Sequence, residues 1–104
     1  MSMLAIVTFD LHGAHPRSYT KIKRRLSHVR LEKFIRSKKS RHKSGLPANT
    51  YAVMFTGKWS KKSSAELRDH LRKKVKEIIS DEGLSADILV VVGKDWAWGL
   101  GKVK

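Results

Sequence analysis

Apolar residues gather in three short dense runs, separated by two stretches where they recur every three or four positions. The first run, residues 3–10, reads MLAIVTFD. It is apolar on both alternating faces through Phe9 and predicts a strand covered on both sides. It stops on Asp10 and opens into Leu11-His12-Gly13-Ala14-His15, read as a loop carrying two histidines. Over residues 16–28, Tyr19, Ile22 and Leu26, continued by Val29, form one stripe; Pro16 suits a first helical turn. Residues 30–39 fix no period and are expected to form a polar, charged edge strand. Residues 37–47, SKKSRHKSGLP, read as a basic hairpin tip. Residues 50–56, TYAVMFT, predict a second apolar strand, and Gly57-Lys58-Trp59-Ser60 a turn. Ser63 and Glu66 make a capping-box pattern, opening a helix that runs to about Ser80 with Leu67, Leu71, Val75, Ile78 and Ile79 on one face. His70 borders that stripe and reads as an ordinary boundary histidine, and Gly83 is placed for a C-terminal cap. Residues 87–93, DILVVVG, give the last strand. Trp96 and Trp98 beyond it could stack on bases, but such a pair more often packs down and pins a terminus.

The order βαββαβ predicts an α+β, ferredoxin-like single domain over residues 1–104. Its four-stranded antiparallel sheet has the order 4-1-3-2, with two helices on one face. The last strand falls at an edge although ILVVV is not an edge-like sequence; a second copy of the chain is the simplest cover, so a homodimer is expected. The same topology puts the 37–47 loop, Arg17 and Asp10 at one end and Asp95 at the other, roughly 20 Å away. Asp10 and Asp95 then cannot share a metal within one subunit, and a single carboxylate holds magnesium poorly.

Composition adds a partner class. The chain has 104 residues, 40% of them apolar, which suits one globular domain. It has no cysteine, excluding disulfides, zinc–thiolate sites and thiol nucleophiles. No run reaches membrane-span length and no signal-peptide pattern opens the chain, so a cytoplasmic protein without a membrane partner is expected. Twenty-three Lys and Arg against nine Asp and Glu give a net charge of +14. Between Arg17 and Lys43 the only acid is Glu32, so the excess is concentrated. Such a field favours polyanions, DNA or RNA first among them, with an anionic membrane or an acidic protein as competitors. The residues expected to meet phosphates are Arg17, Lys21, Arg24, Arg25, Lys38, Lys39, Arg41 and Lys43.

Four motifs carry a resemblance: Ala5–Leu11 (AIVTFDL); Leu46-Pro47-Ala48-Asn49-Thr50-Tyr51; Ser64-Ala65-Glu66-Leu67-Arg68-Asp69-His70-Leu71; and Asp95-Trp96-Ala97-Trp98-Gly99. Together they resemble the Cas-two-like superfamily, which takes in the CRISPR-associated Cas-two proteins, the SinR-like proteins and the virulence-associated protein D ribonucleases. The resemblance implies a nucleic-acid-handling homodimer with Asp10 as the candidate ligand of a divalent metal. The chain departs from typical adaptation proteins in its long basic loop and in having no evident strand after residue 99 for exchange between subunits. Two functions follow. One is a binding protein that grips DNA or RNA through its basic residues. The other is a magnesium-dependent endonuclease with Asp10 from both subunits on Mg2+ and His12 or His15 assisting proton transfer. Each of these residues also has a plainer reading: Asp10 starts a turn, and the histidines contact phosphate or water.

Overall fold

The structure, a computed structural model, describes residues 2–13, 15–36, 43–47, 49–94, 96–101 and 103, with the backbone alone at 36, 43, 44 and 60. Its elements in chain order are β1 (Met3–His12), α1 (Pro16–Ser27), β2 (Phe34–Arg36), β3 (Lys43–Gly45), β4 (Thr50–Phe55), α2 (Ser64–Asp81) and β5 (Ser85–Gly93), with a 3-10 turn at Gly57–Lys61 before α2. The fold is α+β: an antiparallel sheet with two helices. β1 is central, flanked by β4 and β5.

Alternation along β1 divides the molecule into two layers. Ala5, Val7, Phe9 and Leu11 point to one face and form the core with Ile22 and Leu26 of α1 and Leu71, Val75, Ile78 and Ile79 of α2. Both helices therefore cover this face. Tyr51 of β4 lies there too, stacked on Phe9 with ring centroids 5.5 Å apart, and burial pushes its hydroxyl pKa up. The opposite face carries Leu4, Ile6, Thr8, Asp10 and His12 of β1. A smaller cluster covers its first half: Leu4, Ile35 and Ala52 are buried, with Leu46, Trp96 and Trp98 packed against them. Trp96 also donates its indole N–H to the Ser2 hydroxyl at 3.3 Å, so this pair packs as the sequence reading preferred.

Two expectations are corrected. The first strand does not end at Asp10: it runs on to His12, and every residue from Leu4 to His12 faces one on β5. Leu11 is 7% exposed, so its burial on the helix face holds the strand in register past the two polar residues. The polar strand expected over 30–39 also breaks up. Among the described residues it bridges β4 at one point, Glu32–Ala52, with N–H···O distances of 3.0 and 2.9 Å. Beyond it Ile35 turns onto the open sheet face beside Leu4 and Ala52, and β2 pairs with β3, inside the expected 37–47 loop. The Leu46 N–H bond to the Lys33 carbonyl, 2.9 Å, extends that hairpin.

Both helices end in the same hydrogen-bonded motif with different residues at its critical position. At the end of α2 the Leu84 N–H reaches the Ile79 carbonyl (3.2 Å), the Gly83 N–H reaches that of Ser80 (2.9 Å), and Gly83 has φ +71°. At the end of α1 the Leu31 N–H reaches Leu26 (3.0 Å) and the Arg30 N–H reaches Ser27 (3.0 Å), with Arg30 at φ +67°. This is the Schellman arrangement, whose left-handed residue is usually glycine. An L side chain there costs about 1 kcal/mol. The start of α2 is as expected, with the Ser63 hydroxyl accepting from the Glu66 N–H at 3.1 Å.

Candidate functional site

Asp10 lies opposite Asp87 on the uncovered end of the sheet face, the two being cross-strand partners of β1 and β5. Two residues further along, His12 faces Ser85. The His12 Nε2 is 3.0 Å from Asp87 Oδ2, and its Nδ1 is 3.3 Å from the Ser85 hydroxyl. A neutral ring satisfies both contacts if Nε2 carries the proton towards the carboxylate and Nδ1 accepts from the hydroxyl. Asp10 and Asp87 line one open depression with Thr8, Asn49 and Leu89. The depression is shallow and solvated: the side chain of Asp87 is 86% exposed.

Asp87 was missed in the sequence, although the signal was there. Antiparallel pairing of the first and last strands brings the Asp that opens DILVVVG beside Asp10. Like charges directly opposite on a sheet oppose folding, typically by a few tenths of a kcal/mol in water. Asp10→Asn removes that repulsion and leaves the His12–Asp87 contact intact. It is expected to raise stability by about 0.5 kcal/mol at low ionic strength, with the gain shrinking in high salt. Urea unfolding at two salt concentrations checks this, and an unchanged midpoint in low salt counts against it.

The second histidine of the expected loop sits apart from this cluster. His15 is the N-cap of α1, its Nδ1 accepting the Arg17 N–H at 3.2 Å. No group of three or more His, Asp or Glu side chains is arranged to hold a metal ion among the described residues. Among the described residues, the carboxylate facing Asp10 is that of Asp87, which His12 engages.

The basic candidates divide by the company they keep. Arg17, Lys21 and Arg24, spaced four and three residues apart, line the exposed side of α1, with Lys23 exposed beside them. α1 contains no acid, and none of these four has an ion pair among the described residues. Arg25 differs. It turns inward to α2, donating to the Asp81 carboxylate at 2.9 Å and the Ile78 carbonyl at 3.4 Å. Several cations on or beside α2 are likewise matched: Arg68 and Arg72 share Asp69, Lys74 lies 4.0 Å from Glu77, and Lys62 lies 3.9 Å from Glu66. The Arg68 guanidinium, bonded to Asp69, holds that carboxyl below its ordinary pKa. Lys43 belongs to β3, while Lys38, Lys39, Arg41 and Asp95 lie outside the described residues. Among the described residues, no helix is long and apolar enough to cross a membrane.

Comparison of the sequence with protein-family models and with curated proteins finds no match.

Proposed function

We propose that the chain is a nucleic-acid-binding protein of the Cas-two-like type, acting as a homodimer and gripping the backbone of DNA or RNA with the outer side of α1. One observation carries this reading: of the five cations on one short helix that holds no acid, four are exposed and have no ion pair among the described residues. Like charges at helical spacing oppose the helix by about 0.2–0.5 kcal/mol a pair, and Arg17 in the first turn also opposes the macrodipole. A row of phosphates removes both penalties and returns the entropy of released counterions.

The ferredoxin-like reading is kept, with the order 4-1-3-2 and its second strand, the polar one, worn down to the Glu32–Ala52 bridge and the β2–β3 pair that follows. The homodimer reading rests on the open sheet face. Met54, Leu89 and Val91 are 38%, 58% and 55% exposed there, more apolar surface than an edge strand ordinarily leaves in water. A second copy laid on this face would bury all three and bring the two Asp10 side chains towards each other.

The His12–Asp87 contact beside Asp10 favours a second reading, a magnesium-dependent endonuclease. Asp10 of both subunits would hold the ion, which would supply positive charge against the phosphodiester. His12, oriented by Asp87, would take the proton of the attacking water. His15 has its cap to make and is left out of this chemistry.

The test is a gel-shift and cleavage assay on single- and double-stranded DNA and RNA, across a salt series, with magnesium, manganese or EDTA. Wild type and Asp10→Ala are expected to bind alike in EDTA, with affinity falling steeply as salt rises. An absence of binding at low salt overturns the reading. Metal-dependent cutting that Asp10→Ala abolishes while binding persists selects the endonuclease.

A further inference from the structure

A groove of 330 Å³ opens on the helix side of the free edge of β4, between α2, the turn after α1 and the 3-10 turn. Its volume lies at the lower end of the range for small-ligand pockets, roughly 300–1,000 Å³. Val53, Phe55 and Leu71 line it with apolar surface, and Trp59 and His70 add a run of aromatic rings. The Trp59 indole lies 5.2 Å from the His70 ring and 5.9 Å from Phe55, centroid to centroid, and stays 36% exposed. The Lys62 ammonium lies 5.9 Å from the same indole, and a tryptophan tilted against its neighbours and still a third open to water offers ring surface for stacking.

Backbone and charge add to this. Ala52 directs its N–H and C=O away from β1 to Glu32. By the two-residue period of a strand, Met54 turns its own pair the same way, towards the groove, where no strand follows among the described residues. A donor and an acceptor side by side suit the hydrogen-bonding edge of a base. Arg30 and Lys74 also line the groove. Lys74 has Glu77 at 4.0 Å, whereas Arg30 has no ion pair among the described residues.

Arg30 is the second, independent observation. It occupies the left-handed position that α2 fills with Gly83. Glycine is the cheaper residue at that backbone angle, and although the negative end of the α1 dipole favours a cation there, the side chain stands at the groove with its charge unpaired among the described residues.

We propose that this groove holds one unpaired nucleotide of a nucleic-acid strand, the base against Trp59 and the phosphate at Arg30. The proposal rests on the nucleic-acid reading above and gives it a second contact, distinct from α1. A base inside a duplex has no free face to offer, so the site selects single strands, ends or bulges.

The experiment titrates the protein with a short single-stranded oligonucleotide, an abasic strand of the same length, the corresponding duplex and a mononucleotide. It records tryptophan emission and affinity for wild type, Trp59→Ala and Arg30→Gly, with a melting curve for each. The base-bearing strand is expected to bind roughly ten-fold more tightly than the abasic one and to quench emission, and Trp59→Ala to erase both differences. Arg30→Gly is expected to weaken strand binding several-fold while its melting temperature holds or rises, whereas loss of a structural arginine would lower it. Unchanged strand affinity in both variants overturns the groove and leaves the basic helix standing. A mononucleotide that binds as tightly as the strand overturns the assignment to a strand. No binding of any polyanion removes the nucleic-acid reading itself, and this inference with it.

Discussion

Replacing Lys21, Lys23 and Arg24 together with alanine is expected to weaken duplex binding about a hundred-fold near physiological salt. Each phosphate contact contributes about 0.9 to the slope of log affinity against log salt, so losing three flattens it by roughly 2.7. The fold should not suffer. The three side chains are exposed and make no ion pair among the described residues, and alanine is the best helix former. Relief of their mutual repulsion leaves α1 slightly more stable. The exchange of Arg68 and Arg72 on α2, compared per charge removed, makes the control, because those cations already share Asp69 as a partner. A salt slope that drops equally per charge in the two variants means the field is diffuse and α1 is no special track.

Leu26→Ala carries the largest expected effect on stability, about 2–5 kcal/mol. Leu26 is fully buried, in the cluster where α1 meets β1 and α2. Its truncation leaves a void that close-packed neighbours fill only in part. Domains of this size have about 5–15 kcal/mol in all, so the melting temperature should fall by 10 °C or more. Met54→Ala on the open face is the informative comparison. If that face meets water, the change costs well under 1 kcal/mol. A large cost that grows with protein concentration would mean a second copy lies over it.

The elements with unbroken periodicity were legible in the sequence: both helices, β1, β4 and β5 follow from apolar spacing, and Ser63 with Glu66 marked the start of α2. What escaped depended on pairing across the chain. Asp10 and His12 look like the end of a strand because polar residues usually close one. Only Leu11, buried on the other face, shows that the strand goes on, and only the β1–β5 register puts Asp87 opposite Asp10. Residues 30–39 escaped because their few apolar side chains serve two surfaces: Leu31 joins the helix-side core and Ile35 the open face. The groove could not be read at all. Trp59 passed for a turn residue and His70 for a boundary residue, and their contact, 11 positions apart along the chain, exists only once the 3-10 turn folds back on α2.

The placement of β1 also sets a schedule for synthesis. The first strand made is the central one, yet its longer partner is the last of the described elements: Ser85 meets His12 across 73 positions of sequence. On the ribosome, β1 and α1 therefore emerge long before β5 can close the sheet, and loop closure over such a span is slow. During that interval the apolar stripe of α1, Ile22 and Leu26, lacks the cover that α2 and β5 complete. A nascent chain stalled before β5 should stay protease-sensitive, and become resistant once an added C-terminal spacer carries residue 93 clear of the exit tunnel.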